Sequence, residues 1–99
     1  MIEGRVEEEL LFESGSSSYS GNLDYVGIER ESVEIRVGDN YIEDDEFGNL
    51  KGEIIESGSI DYSDGSINIE FSSNIENDVY VSYYSYERYI YSFIKYLYF

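Results

Sequence analysis

The sequence of 99 residues predicts a mainly β chain, folded as a small antiparallel β-sandwich or barrel with an aromatic C-terminal segment that reads as a short helix. Three observations predict it. "SVEIRV" and "VYVSYYSY" alternate apolar and polar residues with a period of two, the pattern of strands with one dry face. "GSIDYSDGSINIEF" sets Asp64-Gly65 between two such runs, the strongest short-range hairpin signal a single sequence offers. Turn residues recur roughly every 8 to 12 residues, the spacing of short strands in a sandwich or barrel.

Taken in order, residues 6–12, "VEEELLF", mix acids with apolar residues and read as an opening strand. The serine-rich "SGSSSYSGN" after it reads as a loop, because small polar residues and glycine interrupt regular structure. In "SVEIRV", Val33, Ile35 and Val37 share one face and Glu34 and Arg36 the other. "GDN" at residues 38–40 and Gly48-Asn49 within "YIEDDEFGNLKG" are turn signals, and "EIIES" leads into the hairpin, where Ile60 and Tyr62 precede the turn and Ile67, Ile69 and Phe71 follow it. "NIEND" supplies another loop; after it Val79, Val81 and Tyr83 alternate with Tyr80, Ser82 and Tyr84. In the tail, "ERYIYSFIKYLYF", the stripe Ile90, Phe93, Ile94, Leu97 favours helix while the aromatic content favours strand, with the balance toward helix.

The domain division is therefore a β-sandwich over residues 1–86 and an aromatic segment over residues 87–99 that docks on its own sheet or on a neighbouring subunit. With 41% apolar and 17% aromatic residues the chain has material for a core, so its charge does not imply disorder. A chain with neither Cys nor His lacks thiolate and imidazole ligands and the usual general base, which excludes zinc chemistry and Ser-His-Asp or Cys-His catalysis. No stretch reaches the roughly 18 apolar residues needed to span a bilayer, and the start has no continuous apolar run of a signal peptide. The expectation is a protein neither exported by a standard signal nor inserted in a membrane.

Formal charge is -16, and it is uneven: residues 1–86 hold 21 of the 22 acids and 4 of the 6 basic residues, or -17, while Glu87, Arg88 and Lys95 leave the tail at +1. Such a body repels phosphates, which argues against nucleic acid as a partner, whereas imitation of DNA toward a basic enzyme remains an alternative. "EDDEFGN" gathers carboxylates on a loop, and Asp44, Asp45 and Glu46 are the weak candidates for a hard cation such as calcium. The spacing is not that of an EF-hand, and a solvated acidic turn accounts for the motif more simply. No cofactor is implied, and a chain this short has little room for a catalytic cavity, so an enzyme is not expected.

Tyrosine is the more informative residue, because 8 of the 12 lie in residues 80–99 and one strand face cannot bury them all. Tyrosine suits interfaces, covering large area while its hydroxyl keeps a polar partner. The expected interface is Tyr89, Ile90, Tyr91, Phe93, Ile94, Tyr96, Leu97, Tyr98 and Phe99, with the tyrosines from Tyr80 to Tyr86 divided between interface and packing within the domain. Aromatic rows also bind sugars, a third use.

Tyr19-Ser20-Gly21, Ser32-Val33, Asp44-Asp45 with residues 47–52, Gly58 to Tyr62 with Gly65, Phe71, and Val81 to Tyr86 follow one another in a fixed order and spacing. In these pieces the chain, from Phe12 to Tyr86, resembles a module of tailed-bacteriophage virion structural proteins. Gly27-Ile28-Glu29 and Asn74-Ile75-Glu76 stand where that module carries prolines, and the tail after Tyr86 lies outside the pattern. The resemblance implies a β-rich component of neck, tail or baseplate, located in the virion or in the host cytoplasm during assembly. Together these features predict a noncatalytic virion structural protein acting through protein subunits, either as a homo-oligomer or with other virion proteins. An acidic viral inhibitor that imitates DNA is the alternative.

Overall fold

The computed structural model describes residues 4–97, apart from the Tyr96 side chain. Eight strands and one helix follow in order: β1 (Arg5–Phe12), β2 (Ser18–Asn22), β3 (Glu34–Val37), β4 (Asn40–Asp44), β5 (Leu50–Lys51), β6 (Ile55–Ile60), β7 (Ser66–Phe71), β8 (Val79–Tyr84) and α1 (Tyr86–Leu97). They form a five-stranded sheet, β1-β8-β3-β4-β5, and a three-stranded sheet, β2-β7-β6, with every pairing antiparallel. The two sheets are joined along one side where Asn49 bridges Ser59 and the Ile60 amide donates to the Gly48 carbonyl at 2.9 Å. The result is sandwich-like, with two sheets and no closed barrel.

Alternation places the core. Val33, Ile35 and Val37, then Val79, Val81 and Tyr83, point inward from the central strands of the larger sheet. Ile67, Ile69 and Phe71 meet them from β7. Ile35, Ile42, Ile67 and Ile69 are fully buried, and each such side chain contributes about 1.5–3 kcal/mol relative to leaving it in water.

Two readings from the sequence need correction. The serine-rich stretch is not all loop: residues 18–22 form β2, paired to β7 from Ser18↔Glu70 to Asn22↔Ser66. Its serines work as strand residues because their hydroxyls bond across the pair, Ser18 to Glu70 and Ser20 to Asn68, both at 2.7 Å. Tyr19 points inward, stacked on Phe12 at 4.8 Å and edge-on to Phe71. The opening hairpin is real, but Ile60 pairs Ile67 and residues 61–65 form its loop, so Tyr62 leaves the strand alternation. Gly65 closes that loop at φ +74°, where an added Cβ would lie 3.0 Å from the Tyr25 carbonyl oxygen.

The tail is a helix. It begins at Tyr86, one residue before the predicted boundary, because Ser85 caps it: the Ser85 hydroxyl accepts from the Arg88 amide at 3.1 Å. Glu87 in the first turn and Lys95 in the last both suit the helix dipole. The molecule measures 47 × 25 × 20 Å.

Candidate functional site

Helix α1 is locked at its base and carries exposed apolar residues beyond it. The Gly27 carbonyl accepts from the Tyr86 amide at 2.8 Å, the Ser85 hydroxyl donates to the Val26 carbonyl at 2.7 Å, and the Glu87 carboxylate accepts from the Val26 amide at 3.0 Å. Gly27 permits this approach: it sits at φ +66°, and a Cβ there would meet Tyr86 Cβ at 3.2 Å. Tyr25 lies edge-on to Tyr91, and Tyr89 lies over Gly4 at the start of β1. Between Asp24 and Tyr25 on one side and Arg88, Tyr91 and Ile94 on the other runs an open groove of about 710 Å³.

At about 100° per residue, Tyr86, Ile90, Phe93 and Leu97 fall in one stripe, with Tyr89 and Ile94 beside it. Tyr86, Phe93 and Leu97 of that stripe are exposed, Tyr86 at 69% and Leu97 at 59%, while Ile90 between them is half-buried, as are the polar Glu87, Arg88 and Ser92. Of the predicted interface residues, Tyr89, Tyr91, Phe93, Ile94 and Leu97 are exposed on α1 and Ile90 is half-buried. The Tyr96 side chain, Tyr98 and Phe99 lie outside the described residues. Tyr86, one of the tyrosines divided between interface and packing, is 69% exposed.

The acidic loop has a different job. Asp44 is buried and accepts from the Glu31 amide at 2.8 Å, the Val33 amide at 3.0 Å, the Glu46 amide at 3.3 Å and the Tyr62 hydroxyl at 2.6 Å. Burial, then the Asp44 carboxylate, pushes the Tyr62 phenol up to about 12. Asp45 accepts from the Phe47 amide and from both the amide and the side chain of Asn49, whose side-chain bond leads in holding its carboxyl below the usual range. Glu46 stands at φ +69° beside Glu31, and its charge raises the Glu31 carboxyl. Asp44 and Asp45 are therefore engaged by nearby backbone and side-chain donors, and among the described residues no group of three acids is placed to hold a metal.

On the outer face of the larger sheet, Arg36 lies over the Tyr80 ring at 5.0 Å and Arg5 over Tyr84 at 5.1 Å. Guanidinium groups thus occupy ring faces that a sugar would need. Of the tyrosines divided between packing and interface, Tyr83 alone is fully buried. Its hydroxyl donates to Glu9, whose carboxyl is raised by burial. Acids occupy the exterior of both sheets, Glu8, Glu34 and Glu43 on one and Glu56 and Glu70 on the other, and also loops such as those holding Asp39, Glu76, Asp24 and Asp64. No helix among the described residues is long and apolar enough to cross a membrane. Comparison with family models, curated proteins and solved structures finds no match to this chain.

Proposed function

We propose that this chain is a noncatalytic structural protein of a virion, assembling through protein contacts made by α1. The observation that carries the reading is the outward apolar stripe of Tyr86, Phe93 and Leu97 on a helix whose base is fixed to the body. A contiguous apolar surface of this kind marks a protein contact. The two-sheet body and the turn pattern from Phe12 to Tyr86 support a virion module as the scaffold. An acidic DNA mimic draws less support, because its carboxylates need to line one face like a phosphate backbone, and here they are spread over both sheets and the loops.

The test is incorporation. The full chain and a chain ending at Tyr86 are each co-expressed with the particle proteins encoded beside it, and purified particles are assayed by mass spectrometry. The full chain is expected in fixed ratio to the other subunits and the truncated chain is expected to be absent. Particles that lack the full chain, or that take up both equally, overturn the proposal.

A further inference from the structure

As the assembly element of the proposed structural protein, on which reading this inference rests, α1 needs an occupant for its outward stripe. We infer that the occupant is a second copy of this chain, docked helix to helix about a two-fold axis.

Area sets the first requirement. Tyr86 and Leu97 are 69% and 59% exposed, and Tyr89, Phe93 and Ile94 are 41%, 37% and 44% exposed. At roughly 200 Å² for a full side chain of this size, the stripe and its flanks leave about 500 Å² of apolar surface uncovered. A stable interface buries about 800 Å² per partner, so the helix supplies more than half of it.

Charge selects the partner. The body carries -17 over residues 1–86, so contact between two bodies is opposed, and so is approach to an anionic lipid surface. Helix α1 escapes this: its stripe is uncharged, and an uncharged apolar stripe is complementary to its own copy, as a two-fold interface requires.

Light scattering of the purified full chain at increasing concentration tests this. The expected mass is twice 11.5 kDa. Phe93→Glu with Leu97→Glu is expected to weaken dimerisation by at least about tenfold while far-ultraviolet circular dichroism and the melting midpoint stay near those of the parent. Ser57→Glu with Ser59→Glu adds the same charge on the three-stranded sheet and is expected to leave the dimer intact. Should the first pair fail to fold, Leu97→Glu alone at the most exposed apolar position of the last turn gives the same readout. A full chain that is monomeric at every concentration, a dimer untouched by these changes, or a monomer that instead binds neutral phosphatidylcholine vesicles overturns the inference. A monomer still incorporated into particles through α1 overturns it and leaves the assembly role standing; a helix-paired dimer absent from particles does the reverse.

Discussion

Asp44 and Tyr62 show how much one residue of an acidic run can differ from its neighbours. Asp44 is 9% exposed and satisfies four donors that come from the loop at residues 31–33, from Glu46 and from the hairpin loop. Asp44→Ala leaves those donors buried without an acceptor and is expected to cost about 3–5 kcal/mol in urea unfolding. Tyr62→Phe removes one bond and is expected to cost about 1–2 kcal/mol. The phenol also sets a pH window. Its folded pKa of about 12 lies above the ordinary 10, so the folded state keeps a proton that the unfolded state loses. Stability from this group is complete below pH 10 and declines as pH rises toward 12. Tyr83, raised by burial and by Glu9, acts in the same direction. Tyr62→Phe should therefore flatten the alkaline decline seen by thermal melts, and an unchanged slope would count against the Asp44 bond. None of this is legible in "EDDEFGN", where four carboxylates look alike: the donors that single out Asp44 lie 11 to 18 residues away in sequence, apart from Glu46.

At the scale of elements, the junction between β8 and α1 rests on Ser85. It is 2% exposed, caps the helix and anchors it to Val26 with the same hydroxyl. Ser85→Ala is expected to cost about 1–2 kcal/mol, and to lower helical dichroism before the sheets unfold, since it frees the helix from the loop at residues 25–27. Equal loss of both signals in one transition would show that the helix does not move independently of the body. Strands β3 and β8 of the larger sheet were legible because burial on one face imposes a period of two, as Val79, Val81 and Tyr83 show; β4 and β5 were not, because their short runs are set between turn residues. β2 was not, because its serines are set by partners: Glu70 and Asn68 on β7 supply the cross-strand bonds that local propensity does not provide. The helix was legible in its stripe. Its direction was not, since the pattern shows that one face is apolar and says nothing of whether that face meets the body.

For the whole molecule the dominant quantity is charge density. At -16 over 99 residues, within a cross-section of 25 × 20 Å, every acid lies close to others of the same sign. The ion pairs Arg5–Glu7 and Arg36–Glu8 lie at the surface, where water and salt screen them. They do not offset the repulsion summed over the surface. The Debye length falls from about 30 Å at 0.01 M salt to about 10 Å at 0.1 M. Across that change it drops from longer than the cross-section to about half of it, so carboxylates on opposite sheets cease to act on one another. The melting midpoint is therefore expected to rise by roughly 4–8 °C, equivalent to about 1 kcal/mol for a domain of this size, with a smaller gain between 0.1 M and 1 M where only near neighbours remain coupled. Differential scanning calorimetry of the chain ending at Tyr86, in sodium chloride and again in choline chloride, separates screening from cation binding. Screening predicts the same rise in both salts, because it depends on ionic strength alone. A rise confined to sodium chloride, or a midpoint that falls with salt, would mean that specific ion contacts outweigh repulsion and that the acidic body does not hold its copies apart.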